Sequence, residues 1–158
     1  MTTRLKGQNT PEPLSKARLR LWLKLLKASN LVEDNIRRSL RVDCNWTLPR
    51  FDVMSALARS ENGLKMSEIS ALLRVSNGNI TGIVDKLTAE GLALRVAVPG
   101  DRRANLVRLT PKGQTVFAEH AAAHESWIDD LLGGLDGDDI EGMIVRLDHL
   151  NQSLEERT

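Results

Sequence analysis

The hydrophobic period changes once along this chain, and that change constrains the fold more than any other feature. Ahead of it, apolar residues recur at intervals of three and four. Ile69, Leu72 and Leu73 stripe a short helix that Ser67 can N-cap, with Glu68 in its opening turn, where negative charge is favoured. Ser76 can cap the next helix. Ile80, Ile83, Val84 and Leu87 line one of its faces, and Gly91 is a natural residue just past its end. Helix, short turn, helix within about 25 residues is a helix-turn-helix. From Leu92 the period is two: Leu92, Leu94, Val96 and Val98 alternate with Ala93, Arg95 and Ala97. Pro99-Gly100-Asp101 is turn chemistry, and Val107 and Leu109 alternate with Leu106 and Arg108 on a return strand. The expected unit is a helix-turn-helix followed by a β-hairpin whose loop carries Arg102 and Arg103.

Helices flank that unit. Residues 2–13 contain Gly7, Pro11 and Pro13 and read as a flexible tail over 1–13. A helix follows over 14–43, with Leu14, Leu21, Leu25, Val32, Ile36 and Leu40 on its stripe. A second runs over 48–59, with Pro49 in its first turn, Leu48, Phe51, Met54 and Leu57 on one face, and Asn62-Gly63 as its stop. Thr110 caps a long helix with Pro111 at its first position, running to about Leu132 before Gly133-Gly134. A last helix begins at Asp138, with Ile140, Met143, Ile144, Leu147 and Leu154 on one face. The fold class is therefore mainly α with a small β-hairpin wing. Residues 14–158 read as a single domain whose lobe over 48–110 is a winged helix-turn-helix. The helices over 111–158 either belong to that fold or bury their apolar faces against a second copy.

The net charge of +1 conceals a segregation: +7 over residues 1–50, +2 over 51–110 and −8 over 111–158. Such asymmetry points to a polyanionic partner on one side. A chain of 158 residues with one cysteine is one domain, with or without a dimerisation extension, and not a disulfide-framed secreted module. No apolar run approaches the ~20 residues needed to span a bilayer, and residues 1–13 hold no apolar signal core, so a cytoplasmic location without membrane contact is expected. No nucleophile motif, phosphate loop or zinc-protease motif occurs, so the chain reads as no enzyme and calls for no cofactor. Cys44 is the only thiol and has no resolving partner. His120 and His124 stand at the spacing that suits zinc, but two ligands do not make a site, and no metal is expected. Three alternatives stay open: a thiol-responsive regulator, a metal-responsive regulator, and a winged-helix adaptor that binds protein. Steep loss of affinity with salt would mark a DNA binder.

On the second helix of the helix-turn-helix, the face opposite Ile80 carries Gly78, Gly82, Asp85, Lys86 and Asn79. Each glycine there weakens the helix by up to ~1 kcal/mol relative to alanine, a cost that makes sense where the helix must approach a groove closely. Ser76, Asn77, Asn79, Thr81 and Lys86 are then the candidates for base edges and phosphates. Arg102 and Arg103 would act from the wing on phosphates or a minor groove, with Asp101 holding one of them in position.

The stretch Asn79-Ile-Thr-Gly-Ile-Val-Asp-Lys-Leu-Thr-Ala-Glu-Gly-Leu92, the wing residues Asp101-Arg-Arg, and Val107-Arg-Leu-Thr-Pro-Lys-Gly113 resemble the MarR family of bacterial regulators. The resemblance implies a homodimer built from the first helix and the last two, over 14–43 and 111–158. It also implies a winged helix-turn-helix in each subunit on a double-stranded, pseudo-palindromic operator, and repression relieved by a small molecule. Val75-Ser-Asn-Gly-Asn-Ile-Thr-Gly82 and His124-Glu-Ser-Trp-Ile128 look like the MarR-type regulators of aromatic-acid catabolism, hydroxycinnamate regulators included, some of which answer to the coenzyme A thioester. The effector implied is an aromatic acid or its coenzyme A thioester. Arg37, Arg38 and Arg41 would hold phosphates, Phe51, Met54, Trp127 and Trp22 would supply apolar walls, and His124 a polar anchor.

Overall fold

The computed structural model describes residues 10–74 and 77–158, with the side chains of all of them except Asn77, Arg102, Arg103 and Ala104. The chain falls into two compact units that part between Asn35 and Ile36. Most of the expected tail and the cap residue Ser76 lie outside the described residues.

The first unit is the greater part of α1 (Leu14–Ser39), a helix on which Leu14, Leu19, Leu21, Trp22, Leu23 and Leu31 are exposed. The second unit starts at Ile36. Ile36 and Leu40 are buried, and a π-helical turn over Leu40–Cys44 replaces the straight helical end expected up to 43. That turn closes at Asn45, whose φ of 55° is left-handed, a conformation asparagine tolerates better than most residues.

α2 (Leu48–Ala58) is capped by Thr47, whose hydroxyl accepts the Arg50 N–H, and it buries Phe51, Val53, Met54, Ala56 and Leu57. β1 (Leu64–Lys65) is a strand that periodicity could not reveal. α3 (Met66–Leu73) begins one residue before Ser67, so Ser67 lies inside the helix and Lys65 takes the cap position. The Lys65 N–H donates to Glu68 Oε1 at 3.3 Å, which satisfies a donor that a Ser67 cap would have left open. α4 (Asn77–Ala89) follows and ends before Gly91, which has a φ of 74°, as the sequence pattern anticipates.

β2 (Ala93–Val98) and β3 (Asp101–Leu109) form an antiparallel hairpin, and β1 adds to the other edge of β3, giving the order β1-β3-β2. Val98 pairs with Asp101, so the loop is only Pro99-Gly100, with Gly100 at a φ of 85°. Arg102 and Arg103 therefore belong to the start of β3 and not to a loop. The register shifts directly after the turn, since Val98 pairs with Asp101 but Ala97 pairs with Asn105. Leu92, Ala93, Val107 and Leu109 meet Ile69, Ile80, Val84 and Leu87 as the buried apolar residues of the lobe.

Thr110 caps α5 (Pro111–Leu131): its hydroxyl accepts the Gly113 N–H at 3.0 Å, and its own N–H donates to the Leu92 carbonyl. α6 (Gly137–Glu155) starts one residue earlier than expected. Asp136 and Asp139 cap it reciprocally, each side chain accepting the other's backbone N–H. α6 buries none of its residues within the chain, and Ile140, Met143, Ile144, Leu147, Leu150 and Leu154 all stand exposed.

Candidate nucleic-acid interface

α4 is the helix on which the site is built. Ile80, Val84 and Leu87 are fully buried, whereas Gly78, Asn79, Thr81, Gly82, Asp85 and Lys86 are exposed. The two faces expected from the sequence are thus the inner and outer faces of the folded helix. A Cβ placed on Gly78 or Gly82 would meet nothing within 4 Å, and neither residue has a positive φ. Neither packing nor backbone conformation inside the molecule calls for glycine there. The destabilisation is about 1 kcal/mol each relative to alanine, and a partner that approaches this face from outside would account for it.

Asp85 is an acid on this outer face. It is neutralised by Arg95 of β2, whose Nη2 lies 2.6 Å from Oδ1. The pair ties the middle of α4 to the base of the wing. Nothing in the sequence reading singled it out, although the ten-residue separation of an acid and a base across one helix–strand junction was available. Of the other candidates, Ser76 and the side chains of Asn77, Arg102 and Arg103 lie outside the described residues, as does any pairing of Asp101 with those arginines.

One wall of α4 borders a groove of about 380 Å³, lined by Gly78, Asn79, Gly82, Ile83 and Lys86 together with Asn45, Thr47 and Arg50. A second hollow of about 350 Å³ shares Thr47, Asn79 and Ile83 with it and adds Arg37, Arg41, Trp46, Leu48 and Pro49. The combined lining holds four cations, an apolar surface from Trp46, Leu48, Pro49 and Ile83, and no carboxylate. Such a groove suits a flat ligand with an anionic group.

Arg50 forms the back of the groove. Its guanidinium lies 4.7 Å from the centre of the Trp46 ring and grips Glu90 with both terminal nitrogens. The Arg50 guanidinium holds the Glu90 carboxyl below the usual range. Glu90 follows α4 directly: its N–H closes on the Lys86 carbonyl, and its own carbonyl accepts the Lys112 ammonium at 3.1 Å. His120 of α5 meets the Trp46 ring edge-on at 4.1 Å, and burial pushes its imidazole pKa down. Neither Trp46 nor Arg50 stood among the residues the sequence nominated. Their only advance signal was the basic excess of the first fifty residues, in which Arg41, Trp46 and Arg50 stand close together.

The nominated effector residues separate in space. Arg37 and Arg41 line the second hollow, whereas Arg38 is exposed beside them without lining it. Phe51 and Met54 belong to the core, and Met54 is fully buried. His124 stacks on Phe51, with ring centres 4.8 Å apart, and Trp127 is half-buried one turn further along α5. Trp22 is exposed on α1. Burial, reinforced by Asp43, pushes the Cys44 thiol pKa up, the opposite of what a reactive thiol needs. Among the described residues, no group of three or more His, Cys, Asp or Glu side chains could hold a metal ion, and no helix is long and apolar enough to cross a membrane.

Residues 46–104 match a family model described as MarR family. The chain is 27% identical over 133 residues to the HTH-type transcriptional regulator MhqR of Bacillus subtilis, a match covering 81% of this chain and 87% of that protein. It is 26% identical over 116 residues to the transcriptional activatory protein BadR of Rhodopseudomonas palustris, covering 72% of this chain and 66% of that one. Among solved structures, a MarR family transcriptional regulator from Silicibacter pomeroyi superposes with a TM-score of 0.73 at 29% identity, over 90% of this chain and 99% of that one.

Proposed function

The chain belongs to the MarR family and is a DNA-binding transcriptional regulator, and from that premise we propose that it is a homodimeric repressor released from a pseudo-palindromic operator by an aromatic carboxylic acid or its coenzyme A thioester. The observation that carries this reading is the groove along α4. Gly78, Asn79, Gly82 and Lys86 belong both to the outer face of the helix and to the groove wall, so a ligand there and a DNA duplex address the same helix. Trp46, Leu48 and Pro49 offer an aromatic ring an apolar wall, and Arg37 and Arg41 offer its anionic group a counter-charge. The exposed apolar face of α6 supplies the surface for a second copy. Two symmetric winged helices then require half-sites about 10 bp apart or a multiple of that.

A duplex selected by the protein from a randomised library tests the DNA side: two inverted half-sites are expected, and a single unpaired site refutes the dimeric reading. The effector side is tested by titrating an aromatic acid and its thioester calorimetrically into wild type, Arg37→Ala/Arg41→Ala and Arg38→Ala. The double variant should lose binding and the single variant keep it. Undiminished binding by the double variant would move the effector out of this groove. Transcription measured with and without the ligand decides between repression and activation.

A further inference from the structure

The groove holds one cation unlike the other three. Arg37, Arg41 and Lys86 are exposed, whereas the Arg50 side chain is only 16% exposed. Its Nε is a buried donor with no hydrogen-bond partner among the described residues. A guanidinium so placed needs a carboxylate, because a charge removed from water is costly unless it is paired. Glu90 provides it from the residue after the recognition helix. Arg50 is therefore the wall of the ligand groove on one side and the tether of the α4 C-terminus on the other.

We propose that Arg50 is an exchange point, at which a carboxylate ligand in the groove takes the guanidinium from Glu90 and so releases the end of the recognition helix. This rests on the reading of the groove as the effector site, and it specifies both the effector's anionic group and the route by which occupancy reaches DNA. The guanidinium carries five N–H donors; its Nε–H is buried, so an incoming carboxylate meets the terminal N–H groups that Glu90 holds and competes for those. Trp46 holds the guanidinium plane throughout, so the exchange requires no swing of Arg50. Once released, Glu90 stands at the negative end of the α4 dipole with Lys86 and Lys112 as its remaining cationic neighbours. The helix end repels it, which weakens the tether of α4. The ligand thus prefers the form whose recognition helix is loosened, and only such a difference in affinity shifts the equilibrium.

The test uses the full chain as wild type and as Glu90→Gln, a selected duplex, and sodium benzoate and sodium cinnamate as probes. In wild type a probe should lower duplex affinity by about five-fold or more, the low end of ordinary coupling. Glu90→Gln should bind the probe more tightly by a comparable factor and bind the duplex more weakly without it. Adding probe to this variant should then leave duplex affinity nearly unchanged. In wild type alone, the Arg50 Nε–Hε resonance should move as probe is added. Equal probe affinity in both proteins, with equal release from the duplex, overturns the exchange and leaves the groove as the effector site. A bound probe that leaves the Arg50 resonance still does the same. Binding of neither probe to either protein overturns both the exchange and the groove reading.

Discussion

Two glycine-to-alanine substitutions should act in opposite directions, and the structure supplies the reason for each sign. A Cβ on Gly113 would lie 1.9 Å from the Leu92 carbonyl oxygen and 2.9 Å from its carbon. Both are backbone atoms, and Leu92 cannot retreat freely, since its carbonyl accepts the Thr110 N–H and its N–H donates to Leu87. The first turn of α5 must therefore move away from β2 and strain the Thr110 cap. Overpacking of this kind costs roughly 1–3 kcal/mol. One or two hydrogen bonds broken with it add about 1 kcal/mol each. A total of about 2–5 kcal/mol should lower Tm by roughly 5–15 °C in a chain of this size. Gly82→Ala meets nothing, so it should stabilise α4 by about 0.5–1 kcal/mol and raise Tm slightly. Its methyl stands on the outer face, so duplex affinity should fall all the same. Far-ultraviolet circular dichroism at one fixed protein concentration measures both melts, because the Tm of a dimer depends on concentration. Anisotropy with a labelled duplex measures the binding. A Gly113→Ala protein that melts with wild type would refute the close approach. A Gly82→Ala protein that binds the duplex as wild type does would refute the reading of the bare face.

Four further outcomes are expected. Lys86→Ala and Arg103→Ala should weaken duplex binding, each reducing the slope of log affinity against log salt by about 0.9 for every phosphate it no longer neutralises; unchanged slopes would remove both from the DNA-facing surface. Deleting residues 136–158 should yield a monomer in analytical ultracentrifugation with much reduced duplex affinity, and a monomer that binds like the full chain would contradict the dimeric scheme. Asp85→Asn should weaken duplex binding although it removes a negative charge, because the Arg95 tether to the wing is broken, and tighter binding would show that plain electrostatics governs this position. The lowered pKa of His120, caused first by burial, means that the unfolded chain takes up a proton before the folded one does; stability should therefore fall as pH drops below about 6.5, and His120→Phe should flatten that stretch in urea melts.

The parts of the fold that could be read in advance are those in which one element carries its own signal. The apolar faces of α3 and α4 repeat every three or four residues, the wing alternates, and Gly91 and Thr110 mark helix ends by local means, a left-handed backbone at Gly91 and the cap bond from Gly113 to Thr110 three residues before it. β1 has no such signal, because two residues define no period. It pairs with β3 because Gly63 brings the chain against Val107, where a Cβ would lie 2.7 Å from the carbonyl oxygen. The π turn at Leu40–Cys44 was hidden for another reason: the apolar stripe of α1 runs on through Ile36 and Leu40, and periodicity does not register where hydrogen bonding changes from four residues to five.

The groove was illegible because its walls come from segments some thirty to forty residues apart. Arg50 looked like one more cation in a basic stretch, and Glu90 like the polar end of a helix; their pairing exists only once α2 and α4 are packed. What the structure adds is a division of labour along the recognition helix. Its middle is tied through Asp85 to Arg95 and so to the wing, whereas its end is tied through Glu90 to Arg50 and so to the groove. Both ties are arginine–carboxylate pairs, yet they differ in surroundings. Arg95 and Asp85 are 38% and 59% exposed, whereas Arg50 and Glu90 are 16% and 48% exposed, so water and salt screen the inner pair less, chiefly on its arginine side. The outer tie can adjust to a duplex at little cost. The inner one is the tie that the proposed carboxylate exchange at Arg50 would break.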